Sequence, residues 1–201
     1  MAAARRNGST DSETRTGLLD AAEQMMLDEG YAAVTSRRVA DRAGVNSGLV
    51  YYYFGTMDEL FLAVFRRRAE WMLERQAEAL ASDPPLWALW TVTHDQANTA
   101  LNLEFLALGN HRKAIMTEVA NYSRRFRRQQ LDALSGVLEG YGLDPQEWPP
   151  ASVILLLSSV SRFLLMEDSY GLDLGHAETI EIVERLLCQL EGERAPARDR
   201  D

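Results

Sequence analysis

The side chains that could make or break bonds are scattered along this chain. Its three histidines, His94, His111 and His176, lie far apart and in no metal-ligand spacing such as His-x-x-x-His. No Gly-x-Ser-x-Gly elbow, phosphate loop or dinucleotide fingerprint occurs. The one cysteine, Cys188, excludes an internal disulfide and any cysteine-cluster zinc site, and reads as core filler near the C-terminus. No catalytic residue, metal or cofactor is expected, so the chemistry to look for is recognition. Polar and aromatic side chains suited to it gather in Thr35-Ser-Arg-Arg-Val-Ala-Asp-Arg-Ala-Gly-Val-Asn-Ser-Gly-Leu-Val-Tyr-Tyr-Tyr-Phe54. Two short helices that cross closely need a small residue at their contact, and Ala40 supplies it. The sharp turn between them needs a residue free to take positive φ, and Gly44 follows four positions later. Val39, Val45 and Val50 are placed to lock the pair against a third helix. This is helix-turn-helix spacing, and its second helix suits the DNA major groove. The opposing reading is two unrelated short helices of a bundle. It leaves unexplained the N-cap Thr35, the amphipathic helix before it and the polar-aromatic face after it.

Charge first argues the other way, because the 201 residues carry a net −9 and phosphate binding needs local positive potential. Distribution matters more than the total. Between Tyr31 and Arg68 there are six arginines (37, 38, 42, 66, 67, 68) against Asp41, Asp58 and Glu59, a local +3. Hydrophobic residues at 46% and charged residues at 25% are the balance of a folded soluble chain. No apolar run follows the arginines near the N-terminus, so no secretory signal is expected. The longest apolar stretch, Ala151 to Met166, is shorter than the roughly 20 residues that span a bilayer. A cytoplasmic location and no membrane partner are expected.

Elements that could hold the recognition segment follow from apolar residues recurring at helical spacing, with no alternating strand pattern or Asn-Gly hairpin. A first helix is expected over Thr14–Glu29 with an inner stripe of Leu18, Ala21, Ala22, Met25 and Met26, stopped by Gly30. Short helices follow from Thr35 or Ser36 to before Gly44, and from Asn46 to Phe54. A long fourth helix opens at Thr56, with Asp58 and Glu59 favoured in its first turn, and runs to about Leu80. After the break at Ser82-Asp83-Pro84-Pro85, helices are expected over Leu86–Ala100, Leu103–Leu108 and Arg112–Tyr141. The Gly142–Pro150 break precedes two more, Ala151–Ser169 and His176–Glu191. The fold class is therefore all-α with about nine helices. A three-helix helix-turn-helix DNA-binding domain occupies 10–56, a helical ligand-sensing and dimerisation domain 57–191, and a charged, frayed tail 192–201.

Gly30-Tyr31, Thr35-Ser36-Arg37, Val39-Ala40, Ala43-Gly44-Val45, the run Gly48-Leu-Val-Tyr-Tyr-Tyr-Phe-Gly55 and Asp58-Glu59-Leu60 together resemble the N-terminal signature of the TetR family of transcriptional regulators. The match is close over about residues 14 to 65; the remainder is similar only in helix number and length. The resemblance implies that Thr35 and Ser36, at a helix start, bind phosphate. It places Arg37 at a position that reads base edges, with guanine its natural bidentate partner. Asn46, Ser47 and Leu49 fall on the leading turn of the recognition helix, the first two to hydrogen-bond and Leu49 to touch a thymine methyl. Tyr51 and Tyr53 fall where rings pack along the DNA backbone and hydroxyls reach phosphates, and Thr56 opens the following helix beside them. Two departures stand out: Met57 replaces the family's usual lysine, removing a phosphate contact, and Gly48 leaves a reading position bare. Tyr52 and Phe54 read as core. Arg38 and Arg42 read as a solvated face or as partners of Asp41, and Arg66 to Arg68 as a solvated face.

Ala151 to Met166 is apolar around nearly its whole circumference, as a helix buried on all sides is. In a chain this size the extra face most simply meets a second copy, joined by the stripe Ile180, Val183, Leu186, Leu187 and Leu190. A homodimer through helices 151–169 and 176–191 is expected, with a palindromic operator in double-stranded DNA. A small-molecule site is expected between the helices after Pro85 and the long helix after Arg112, lined by Trp90, His94, Asn98, Met116, Val119, Tyr122, Phe126 and Phe163. A hydrophobic effector would enter it and release a repressor from its operator. The bland reading of the same residues is an ordinary helical core with a satisfied histidine. A helical interaction or architectural protein without ligand response is the alternative for the whole chain.

Overall fold

A computed structural model describes residues 2–194, with side chains from Asp11 onward. Among the described residues the chain is all-helical. Its elements are α1 (Ala2–Glu29), a 3-10 turn (Tyr31–Ala33), α2 (Ser36–Ala43), α3 (Gly48–Phe54), α4 (Met57–Leu80), α5 (Pro85–Thr93), α6 (Gln96–His111), α7 (Lys113–Gly140), α8 (Pro150–Asp168) and α9 (His176–Glu191). They form two compact units: residues to Trp71 with Ala100–Ser123, and Met72–Thr99 with the residues from Arg124 onward. The division does not fall at residue 56. The start of α4, most of α6 and the start of α7 complete the first unit's core, because α1 to α3 alone are too small to enclose one.

In that core the α1 stripe Leu18, Ala22, Met25 and Met26 meets Val39, Ala40, Val50 and Phe54, then Leu60, Phe61, Val64 and Phe65, and finally Leu101, Phe105, Leu108 and Ile115. Each fully buried leucine or phenylalanine stabilises by about 1.5–3 kcal/mol. Phe65 takes the edges of Phe105 and Tyr122 at 5.1 and 5.5 Å between centroids. Ion pairs bind the helices around it: Arg38 to Glu29 and Arg42 to Asp28, both at 2.7 Å, and Arg67 to Asp20 and Glu23 at 2.6 Å. Arg66 meets Glu118 at 2.7 Å, and Arg112 pairs with Asp58. The arginines expected to be solvated thus mostly tie helices together, and the partner expected for Arg38 and Arg42, Asp41, lies beside Arg37 instead.

The second core gathers Leu80, Leu86, Trp87, Leu89, Trp90, Leu134, Leu138, Ile154 and Leu187, with Cys188 partly buried against it. The carboxylate of Glu191 accepts the open backbone N–H groups of Leu86 and Trp87 at 2.7 and 2.9 Å and the Tyr141 hydroxyl at 2.6 Å. Burial, then that bond, push the Tyr141 hydroxyl well above its ordinary value. The expected frayed tail is anchored at its start, where the Gly192 carbonyl accepts the Trp87 indole N–H at 3.1 Å. Positions 195–201 of that tail lie outside the described residues.

Several boundaries differ from expectation. Helix α1 starts well before Thr14. The expected Leu86–Ala100 helix is broken, because Thr93 Oγ1 and His94 Nδ1 turn back onto the Trp90 carbonyl and Asp95 caps the next helix through the Asn98 N–H at 2.7 Å. Helix α3 starts at Gly48 rather than Asn46. Helix α8 has 19 residues at a mean hydropathy of 1.4, long and apolar enough by length and composition to cross a membrane, contrary to the shorter run read from sequence. Within the second unit it buries Ile154, Ser161 and Leu164, and Ser161 Oγ donates to the Thr93 carbonyl at 2.7 Å. It is not buried on all sides: Leu155, Leu156 and Phe163 are exposed.

Candidate nucleic-acid interface

The helix-turn-helix is built as the residues require. Thr35 is extended and its Oγ1 accepts the Arg38 N–H at 3.4 Å, starting α2. Gly44 ends α2 in the left-handed region at φ 69°, which lets the Val45 N–H close on the Ala40 carbonyl at 2.9 Å. Val39, Ala40 and Val50 are fully buried at the crossing. Helix α3 begins at an Asn46 turn, where Oδ1 accepts the Gly48 N–H at 2.8 Å. A Cβ on residue 48 would come within 3.2 Å of that oxygen, so a larger residue at the bare reading position would crowd the Asn46 side chain. Thr56 Oγ1 accepts the Glu59 N–H at 3.1 Å and starts α4.

One outward surface results. Thr35, Arg37, Asn46, Ser47, Tyr51 and Thr56 are exposed, and Ser36, Leu49 and Tyr53 half-buried. Arg37 is the freest, its side chain 88% exposed with Asp41 no nearer than 3.9 Å. Tyr51 donates to Ser36 Oγ at 3.3 Å and so ties α3 to the start of α2. Leu49 packs partly on the core, which limits its reach. The Tyr53 hydroxyl donates to Asp11 Oδ1 at 2.5 Å. Tyr52 was expected in the core; it is 71% exposed instead, edge-on to Tyr53 at 5.0 Å. Helical register gives the reason and the overlooked signal: Val50 and Phe54, four apart, point inward, which leaves Tyr51 and Tyr52 outward.

The expected small-molecule residues do not all fall in one unit. Met116, Val119 and Tyr122 belong to the first. There Met116 packs on Gly109, Val119 lies against the core, and the Tyr122 hydroxyl donates to the Ala69 carbonyl. Trp90, His94, Asn98, Phe126 and Phe163 belong to the second. Trp90 is buried, His94 stands edge-on to it at 3.9 Å, and Phe163 is 54% exposed. Two residues missing from that set stand out in the second unit. Gln76 and Gln130 are buried and bonded to each other, and Gln130 Oε1 has no donor. A glutamine on the inward stripe of α7, one turn before Leu134, was the signal for it. Among the described residues no group of three or more His, Cys, Asp or Glu could hold a metal ion.

Residues 18–64 match the family model for bacterial regulatory proteins of the tetR family. This N-terminal segment is similar to that of TetR-family transcriptional regulators. It is similar to the transcriptional activator FasR of Mycolicibacterium smegmatis, 38% identical over 68 residues, 34% of this chain and 31% of that protein. It is also similar to the fatty acid metabolism regulator protein of Bacillus subtilis, 22% identical over 62% of this chain and 60% of that one. The chain thus spans about a third and three fifths of the length of these two relatives. Among solved structures, the fatty acid degradation regulator FadR of Bacillus halodurans superposes with a TM-score of 0.65 at 19% identity, covering 90% of this chain and 97% of that one. At that identity the likeness is one of fold.

Proposed function

We propose that the protein is a homodimeric transcriptional repressor that reads a palindromic operator with α2 and α3 and leaves it when a small hydrophobic effector binds the second unit. The observation that carries the reading is the outward surface of Arg37, Asn46, Ser47, Tyr51 and Tyr52 on a capped helix-turn-helix. Arg37 offers a bidentate donor to guanine. The Asn46 carboxamide oxygen is held by Gly48, which leaves its NH2 facing outward as a donor. Because the other head arginines considered above are paired with acids, phosphate contacts rest on hydroxyls and backbone amides more than on cations, and the salt dependence should be shallow.

The exposed face of α8 (Leu155, Leu156 and Phe163) with Ile182 and Leu186 of α9 supports dimerisation through these two helices. Helices α4, α6 and α7 each contribute residues to both units; an effector that binds the non-reading state more tightly moves the population away from DNA. Fatty acids and their acyl derivatives are the first effectors to try, since two of the similar proteins are named for fatty acid metabolism or degradation.

Selection of bound duplexes from a random pool, followed by fluorescence anisotropy at fixed salt, tests the reading. A palindrome bound at least about a thousandfold more tightly than scrambled DNA is the expected result. An intact dimer that enriches no sequence would sink it and favour the interaction-protein reading.

A further inference from the structure

Asp11 and Thr14 sit one turn apart on α1, and both engage one atom, the hydroxyl of Tyr53 on α3. Tyr53 donates to Asp11 Oδ1 at 2.5 Å, and Thr14 bonds to the same hydroxyl. The Asp11 bond, then burial, hold that hydroxyl above its ordinary value, so its proton stays in place. A phenol has one proton to donate and is a weak acceptor besides, so in the free chain its donor is occupied. Tyr53 also lies beside the outward Tyr51 and Tyr52, on the surface read above as facing DNA.

A carboxylate oxygen and a phosphate oxygen are alike to a phenol: each is an anionic acceptor reached at similar length. We infer that Asp11 is an intramolecular stand-in for a DNA phosphate, and that the Tyr53 hydroxyl exchanges Asp11 for a phosphate oxygen when α3 docks. This rests on the DNA-reading role proposed for α3. Exchange makes the hydroxyl's net contribution small, since one charge-assisted bond replaces another. It also leaves the Asp11 carboxylate, without its partner, close to the DNA backbone. Asp11 is thereby a brake on phosphate contact that acts on every sequence alike, in keeping with a head whose arginines are largely neutralised by acids.

The test is anisotropy with a mixed-sequence duplex at fixed salt, on the full chain, for the parent, Asp11→Ala, Tyr53→Phe and the double variant. Asp11→Ala should bind about three- to tenfold more tightly, and Tyr53→Phe alone should change affinity by less than about twofold. In the Asp11→Ala background, Tyr53→Phe should remove most of the gain. Asp11→Asn, which keeps an acceptor and loses the charge, gives an intermediate result and serves if the alanine variant melts early by circular dichroism. Weaker or unchanged binding by both Asp11 variants, or a gain that survives Tyr53→Phe, overturns the exchange and leaves Asp11 a brace of α1. A parent that binds no duplex overturns the DNA-reading role and the exchange with it, which is distinct from a parent that binds with Asp11→Ala unchanged.

Discussion

Thr35, Asn46 and Thr56 each commit a side-chain oxygen to the start of a helix, and each keeps a hydrogen to offer outward. The same residues that start the helices are therefore exposed on one surface, which is why the segment could be read from its spacing. Gly44 is the sharpest case. Its φ of 69° suits glycine, and no atom lies within 4 Å of where a Cβ would stand. Gly44→Ala should therefore destabilise the chain by about 1 kcal/mol through backbone strain alone. Urea denaturation measures it, and a much larger loss would mean that side-chain space, not φ, selects glycine there. His94 carries a pH prediction. Burial holds its imidazole below the ordinary 6.5, with the bond to the Trp90 carbonyl opposing. The unfolded chain then takes up the proton more readily than the folded one. This contribution is fully present above pH 6.5 and declines as pH falls below it. Urea midpoints at roughly pH 7.5 and pH 5.5 should differ more for the parent than for His94→Gln; equal differences would remove His94 as the cause. Tyr52 was misread at this scale because an aromatic beside a core position looks like core until its angle on the helix is counted.

At the scale of elements, the loop that leads from α1 into the helix-turn-helix is held from α6. Glu104 accepts the Tyr31 N–H at 2.6 Å, and a Cβ on Gly30, at φ 81°, would come within 3.3 Å of the same carboxylate. Glu104→Ala leaves that half-buried N–H without an acceptor and should cost about 1–3 kcal/mol. Glu104→Gln, which still presents an oxygen, should cost much less. Equal losses in the two variants, read by thermal and urea denaturation, would place the effect in helix packing instead. Nothing in the sequence marks Glu104 as this acceptor, because contacts between residues 73 positions apart leave no trace in periodicity. Breaks without proline or glycine were equally hard to see. The α5–α6 junction is made by Thr93, His94 and Asp95 bonding to nearby backbone, which competes with helix continuation. Helices bounded by proline or glycine, α2, α8 and α9, were legible to within a residue or two.

At the scale of the whole molecule, the −9 charge and the proposed reading of DNA are reconciled by where the acids go. Asp20, Glu23, Asp28, Glu29, Asp58 and Glu118 are paired with head arginines, while Arg37 stays nearly free. The all-α class and the helix-turn-helix were legible because they rest on local spacing. The residues expected to line an effector site depend on which helices meet, which local spacing does not give, and they are divided between the two units. For assembly, Leu156 at 64% exposure and Phe163 mark a face that a second copy would cover. Leu156→Glu should convert a dimer to a monomer by analytical ultracentrifugation and, through loss of half-site pairing, weaken operator binding by about a hundredfold or more. A variant that stays dimeric would move the interface off α8.

Whether Arg37 and α3 read base sequence is decided by parallel selections from one random pool with the parent and with Arg37→Ala. A palindrome is expected for both, with one symmetric pair of positions prominent in the parent and relaxed in the variant by about 1–3 kcal/mol of discrimination. The same sharp motif from both proteins, or no motif from either, would contradict that reading.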